Sequence, residues 1–350
     1  MGISESPTLK CYFIAGKYNS KPKSYNIYVD GESLRYKGKT KFSGTNEIAA
    51  RAAFDYVCRR IDQLEKRFGR PKCVYVFMDG LRVGNKIKRP IADPENNFDR
   101  RELFVDLCRR RFTVVELDEG ESELLMFLHR DTSVQLNAFM SCDSDMMSIC
   151  YGHDSPKSSC VWVDVGTSTM KLYGMDQVPG IPNFTRRVFR VAVALCGTDY
   201  TRRLLTTTMI PGLMKSTEDQ VDKLNSITDT EDLVIHIIWL CIINAPEARL
   251  PKKLSFRTKT FNKDKFIRSI DAYCEYIETG RMTNEQFDQE REAVGAFEYF
   301  IERLIGEPRS DLTGPVVREM CCSLEAPPPK QTVTEAEPAF ADHFNVMDIL

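Results

Sequence analysis

Acidic residues recur where apolar runs stop. Asp30 ends the run Tyr25-Asn26-Ile27-Tyr28-Val29, and Asp79 ends the run Cys73-Val74-Tyr75-Val76-Phe77-Met78. Glu121 and Glu123 stand after a third apolar stretch, Asp143 and Asp145 after a fourth, and Asp199 after the amphipathic run Phe184 to Cys196. A single Asp at a strand end is ordinarily a turn former or a helix cap. Several carboxylates brought into one cleft are another matter, because mutual repulsion raises the pKa of some of them unless a cation neutralises the group. Hard divalent cations neutralise such a group well, since Mg²⁺ takes oxygen ligands, keeps several waters and partners phosphate oxygens. Two such ions about 4 Å apart can activate a water and stabilise the leaving oxygen of a phosphodiester. This residue set could therefore support metal-assisted phosphodiester hydrolysis.

For these acids to meet, the elements before them must lie side by side. Tyr25–Asp30, Cys73–Met78, Phe112–Val115 and Val134–Met140 have the β-branched and aromatic composition of strands. Asn46 to Phe68 carries Ile48, Ala52, Val57, Ile61 and Leu64 near helical spacing, and Phe98–Arg111 and Glu121–Arg130 read as further helices. The alternation predicts an α/β fold, a mostly parallel sheet with helices on both faces. Ligands of such sheets bind beyond the carboxyl ends of the strands, where the acids stand. Ser159 to Met175 reads as a hairpin and Phe184 to Cys196 as a helix. From Tyr200 to about Leu324 the pattern is mainly helical, and Leu233 to Ile243 predicts a fully buried helix. The expected organisation is a catalytic α/β domain over 1–200, a helical region over 201–324 and a flexible tail over 325–350, opened by Ala326-Pro327-Pro328-Pro329-Lys330.

Composition narrows the functional classes. Against 50 acidic residues stand 48 basic ones, a formal net charge of -2, which argues against polybasic binding of the histone kind but not against a local basic track. The longest apolar run, Leu233 to Ile243, is interrupted by His236 and falls short of the roughly 20 residues a membrane crossing needs. The N-terminus lacks a charged-then-apolar start, which argues against secretion. Twelve dispersed cysteines without a CxxC pair read as reduced thiols of an intracellular protein, nuclear or cytoplasmic. Four histidines without HExxH or a Cys/His cluster argue against a zinc enzyme.

In order along the chain stand Met1-Gly2-Ile3, Tyr28-Val29-Asp30-Gly31, Val74-Tyr75-Val76-Phe77-Met78-Asp79-Gly80, Glu121-Ser122-Glu123, Cys142-Asp143-Ser144-Asp145 and Leu195-Cys196-Gly197-Thr198-Asp199-Tyr200. This ordered set resembles the motifs of the flap endonuclease and XPG-like 5′ nuclease superfamily, whose fold is PIN-like, over roughly residues 1–200. The resemblance implies that Asp30, Asp79, Glu121, Glu123, Asp143, Asp145 and Asp199 hold two Mg²⁺ ions, or Mn²⁺ in their place. It implies that Tyr36 stacks on a substrate base, and that Lys86, assisted by Arg89, sits over the scissile phosphate. Arg100, Arg101, Arg109, Arg110 and Arg111 cluster on or after one helix as a phosphate track. The implied partner is branched or 5′-ended DNA, with RNA left open.

Departures accompany the likeness. Met78 is an extra residue before Asp79, and Glu119-Gly120-Glu121 offers a second register for the ExE motif. The stretch between Asp79 and Glu121 is short for a helical arch and contains Pro90 and Pro94. The glycine-rich turn that grips duplex backbone is replaced by Thr206-Thr207-Thr208-Met209-Ile210-Pro211-Gly212. Two other readings stay open: an XRN-like 5′ exoribonuclease, which Glu119-Gly120-Glu121 also resembles, and a catalytically silent nuclease-derived assembly protein with a protein partner or self-assembly through the tail. Val163-Asp164-Val165-Gly166-Thr167-Ser168-Thr169-Met170-Lys171 resembles the phosphate-binding hairpin of actin-like sugar kinases, but such a hairpin normally opens its domain.

Overall fold

The computed structural model describes residues 9, 12, 21–39, 45–80, 94–118, 120–152, 158–165, 170–174, 180–198, 200–201, 203–206, 208–245, 261–280, 296–306 and 314–323. Its centre is a six-stranded sheet of β1 (Tyr25–Asp30), β2 (Cys73–Met78), β3 (Thr113–Glu116), β4 (Leu136–Ser141), β5 (Ser159–Val165) and β6 (Met170–Gly174), in the order β3-β2-β1-β4-β5-β6. β1 through β5 pair in parallel and β6 returns antiparallel to β5. The chain therefore builds outward from β1 through β2 to β3, then jumps back to lay β4 on the other side of β1. That reversal is a topological switch point, where an α/β sheet opens a crevice outside its strand ends. The fold is α/β with a mostly parallel sheet, as the alternation predicts.

Register explains how acids follow a hydrophobic core. Tyr75, Tyr28, Phe139, Trp162 and Tyr173 lie opposite one another across five strands, forming one aromatic row. Tyr28 stacks on Tyr75 and on Phe139 at centroid distances of 5.4 and 5.2 Å. Side chains of a strand alternate between faces, so the residues two further along share that face: Phe77 opposite Asp30, and Ser141 opposite Asp164 opposite Lys171. The same period puts Asp79 on the Asp30 face and Met78 on the opposite one, buried beside Val76. The extra residue before Asp79 thus needs no bulge.

Helices cover both faces. On one, α2 (Asn46–Phe68) and α3 (Pro94–Arg109) bury Val57, Ile61, Leu64, Phe104 and Val105 against the aliphatic side of the sheet. α2 is capped by Thr45, whose hydroxyl accepts from the Ile48 amide. α3 begins at Pro94, the position where a missing N–H costs nothing, several residues before the expected start at Phe98. The other face packs on α4 (Ser122–Leu128), α5 (Met146–Cys150) and α6 (Arg186–Leu195). Its core runs on into α7 (Ile210–Met214), α8 (Glu218–Ser226), α9 (Thr230–Ile243), α10 (Lys263–Thr279), α11 (Ala296–Ile305) and α12 (Gly314–Ser323). α9 is apolar from Leu233 to Ile243 apart from His236, and is the buried helix the sequence predicts. α1 (Gly31–Lys39), which follows β1 directly, is not expected from the sequence.

Two sequence features resolve into packing. Gly212 of α7 faces α9 so closely that a Cβ would lie 2.5 Å from the Cys241 carbonyl oxygen, so the segment ending at Gly212 seats α7 on the buried helix. The hairpin of β5 and β6 forms one edge of the six-stranded sheet; residues 166–169 lie outside those described. The tail from 325 also lies outside them. Among the described residues no helix is long and apolar enough to cross a membrane, and the cysteines are free thiols.

Candidate metal centre

The switch point between β1 and β4 is where the acids gather. Asp30, 1% exposed, ends β1. Its Oδ1 accepts from the Ser33 amide at 2.9 Å and the Ser122 hydroxyl at 3.1 Å, and its Oδ2 accepts from the Ser141 hydroxyl at 2.6 Å. Burial, then the carboxylate of Asp79, pushes the Asp30 carboxyl from 3.8 up to about 7; Asp143 adds to the rise while Ser141 and Ser33 oppose it. A carboxylate offers about four lone-pair sites, and three are taken by these donors.

Ser122 joins two acids. It opens α4, and its amide, one of the helix's free N–H groups, donates to Asp79 Oδ1 at 2.9 Å while its hydroxyl serves Asp30. Glu121 is the N-cap residue of α4, and its Oε2 accepts from the Tyr200 hydroxyl. Glu123, one residue beyond Ser122, is held well above the ordinary carboxylate range, first by burial and then by Asp30, Asp79, Glu121 and Asp143. Glu121 and Glu123 are therefore both within electrostatic reach of the cluster; Glu119 lies outside the described residues.

Asp143 and Asp145 are buried in the turn from β4 into α5. The Asp143 amide donates to Ser141 Oγ at 2.9 Å, and the Asp145 amide donates to Asp143 Oδ1 at 3.2 Å, so Ser141 orients both Asp30 and the turn that carries Asp143. Deeper in, burial and then Asp145 raise the phenol of Tyr273 on α10 far above its usual range.

Asp199 lies outside the described residues, but its neighbours are anchored. Thr198 Oγ1 accepts from the Tyr200 and Thr201 amides at 3.0 Å each, and Thr201 Oγ1 donates to the Ala194 carbonyl at 2.7 Å. Gly197 has φ 84°, and a Cβ there would come within 2.8 Å of Arg203, so glycine is required. The Tyr200–Glu121 bond ties this turn to α4. Lys86 and Arg89 also lie outside the described residues.

Among the described residues no group of three or more His, Cys, Asp or Glu is placed so that it could hold a metal ion. The chemistry of the donor set nevertheless fits a hard cation. The acids contribute only oxygen, they repel one another, and Asp30 is answered by neutral serines and an amide. Asp30, Asp79, Glu121, Glu123, Asp143 and Asp145 are oxygen donors of the type that ions such as Mg²⁺ or Mn²⁺ take.

The positive and aromatic residues divide. Tyr36 is 45% exposed on α1, with the Arg35 guanidinium 4.6 Å over its ring. Arg100 Nε donates to Asn46 Oδ1 at 2.6 Å. Arg109 pairs with Asp106 at 3.0 Å and with Glu116, and Arg111 pairs with Asp62 at 3.2 Å; all these partners are solvent-accessible. Arg110 is exposed. Arg101 instead turns inward, to Glu32 and the Asp79 carbonyl. Ser33, Ser122, Ser141, Glu32 and Tyr200 are site residues that sequence reasoning did not single out. Ser122 and Tyr200 lie inside the quoted motifs, and the parity of β4 marks Ser141.

No family model and no curated protein matches the chain. Solved structures do. The catalytic core of Rad2 in complex with DNA substrate is 13% identical with a TM-score of 0.44, over 89% of this chain and 97% of that one. T5 5′-exonuclease with bound zinc ions is 13% identical with a TM-score of 0.41, over 85% and 97%. A bacteriophage T5 flap endonuclease complex with DNA and metal ions is 12% identical with a TM-score of 0.38, over 85% and 96%.

Proposed function

We propose that the chain is a divalent-metal-dependent, structure-specific 5′ nuclease that hydrolyses phosphodiester bonds of DNA, or of RNA, by a two-metal mechanism. The observation that carries this reading is the acid cluster at the switch point, where burial and neighbouring carboxylates hold both Asp30 and Glu123 above their ordinary pKa. Buried like charges are costly unless something neutralises them, and a phosphodiesterase has a use for the cations that would. Bound Mg²⁺ would supply a nucleophilic water and Lewis acidity at the leaving oxygen. The chain's own acids place the charge that binds it, and Ser122 and Ser141 fix the orientation of Asp30, Asp79 and Asp143. Lys86 and Arg89 are assigned to charge developing on the phosphate oxygens, and Asp199 to the metal set. Tyr36 is assigned to stacking on a frayed base, and Arg100, Arg109, Arg110 and Arg111 to phosphate contacts. Nucleic acid as partner puts the work inside the cell, in nucleus or cytoplasm. The 1–200 and 201–324 portions act as catalytic domain and degenerate duplex-binding region.

Labelled flap, nicked and single-stranded DNA and RNA, incubated with and without Mg²⁺, test this. Mg²⁺-dependent cutting near a 5′ end or junction is expected. Processive degradation of 5′-phosphorylated RNA alone would select the exoribonuclease reading. Complete inertness toward every substrate, with assembly into large particles, would select the silent assembly protein.

A further inference from the structure

Arg101 belongs to the arginine cluster of α3, yet each nitrogen of its guanidinium is already engaged. Nε donates to Glu32 Oε1 at 2.8 Å and Nη2 donates to the backbone carbonyl of Asp79 at 3.0 Å. Nη1 lies 3.2 Å from Glu102 Oε1 and 3.6 Å from Glu116 Oε2. The side chain is 19% exposed. Glu32, 7% exposed, uses its other oxygen on Arg35, whose Nε and Nη2 donate to Oε2 at 2.9 and 2.6 Å. One planar fork therefore joins the helix that follows Asp30 to the peptide of Asp79. A phosphate clamped on the Nε and Nη2 edge of this guanidinium would displace Glu32 and the Asp79 carbonyl and leave buried Glu32 half-answered, which is the expensive side of a buried ion pair.

We propose that Arg101 is a positioning residue for the metal centre: with Glu32 and Arg35 it fixes the Asp79 peptide, and hence the carboxylate, at the sheet edge, and it takes no part in phosphate binding. The proposal rests on the nuclease reading above, since it takes Asp79 as a metal ligand. Groups that orient metal ligands change metal affinity by about 10- to 100-fold when altered. An arginine on phosphate instead changes nucleic-acid affinity and its salt dependence.

The two roles separate in a calorimetric Mn²⁺ titration of the full chain without nucleic acid, paired with the salt dependence of DNA binding. Wild type is compared with Arg101→Ala, Arg101→Lys and the surface control Arg110→Ala, and circular dichroism confirms that each is folded. Arg101→Lys keeps the charge but loses the fork, so it decides the matter should Arg101→Ala not fold. Expected is a Mn²⁺ affinity weakened about 10- to 100-fold in the Arg101 variants, with the salt slope of DNA binding unchanged. Arg110→Ala should leave Mn²⁺ affinity alone and flatten the slope. A wild-type Mn²⁺ affinity in Arg101→Lys, whether or not its salt slope flattens, overturns the proposal while leaving the nuclease reading standing. A wild type that binds no Mn²⁺ removes both.

Discussion

Two buried carboxylate sites in this molecule are answered in opposite ways. Glu231, 4% exposed near the start of α9, accepts from Lys263 Nζ at 3.1 Å and the Tyr299 hydroxyl at 2.8 Å, and Arg303 Nε lies 3.8 Å away. These partners come from α10 and α11, so one acid pins three helices together. Its hydrogen bond is the main reason the Lys263 ammonium holds its proton more tightly than usual, and burial followed by that acid pushes the Tyr299 phenol to about 12. Asp30 is just as deeply buried but is met by serines, an amide and other carboxylates, and its own affinity for a proton rises. Burial of an acid therefore does not distinguish scaffold from site. What answers the charge does: in the helical region the chain supplies its own cations, whereas Asp30 at the sheet edge is answered by neutral hydroxyls and an amide.

The comparison breaks most sharply through paired substitution. Asp143→Asn with Asp145→Asn should lower cleavage of a flap substrate by more than about a hundredfold, the scale of losing organised electrostatic stabilisation. The folded state should survive, because neutral side chains relieve repulsion there. Full activity in that variant would remove the metal mechanism. Glu231→Ala should do the reverse, lowering stability by about 1–3 kcal/mol, as for hydrogen bonds to a charged group. Mn²⁺ affinity should stay unchanged, and melting curves with a parallel metal titration would show both. The smallest effect is expected at the exposed rim. Tyr36→Ala should weaken binding of a frayed 5′ end by about 1 kcal/mol, the low end for one stacked base, without changing the single-turnover rate at saturation; equal binding of wild type and variant would dismiss the stacking role.

Much of this edge was legible because strands announce themselves. β1 is apolar apart from Asn26 and its terminal Asp30, β2 is apolar throughout, and their ends coincide with the structure, so Asp30 and Asp79 could be placed at strand ends from the sequence alone. Helix α1 was not legible for a physical reason. Its buried residues include Leu34 but also Glu32 and Arg35, so its inner face is partly an ion pair and has no apolar stripe for a 3.6-residue period to reveal. Arg101 was misleading in the same way, because a charge that completes a buried network reads in sequence like any exposed one. The serines around Asp30 were anonymous until register put Ser141 beside it and the start of α4 put Ser122 between two acids. The switch point itself is a property of strand order, which the alternation of elements leaves open.

Whether the sheet-edge acids bind a divalent cation is tested most directly by thermal melting at two pH values with and without Mn²⁺. Burial and then Asp79 push the Asp30 carboxyl from 3.8 up to about 7, and burial first and neighbouring acids next shift Glu123 in the same direction. The folded state thus keeps protons that the unfolded chain has released, and stability drains away as pH rises from about 4 through 7. Metal-free protein should melt lower at pH 8 than at pH 6. Mn²⁺ binds the deprotonated carboxylates and stabilises in proportion to its occupancy, so it should raise the melting temperature more at pH 8 than at pH 6. Asp143→Asn with Asp145→Asn should lose most of that rise. A wild type whose melting temperature is indifferent to Mn²⁺ at both pH values, or a double variant that responds as fully as the wild type, would contradict the account.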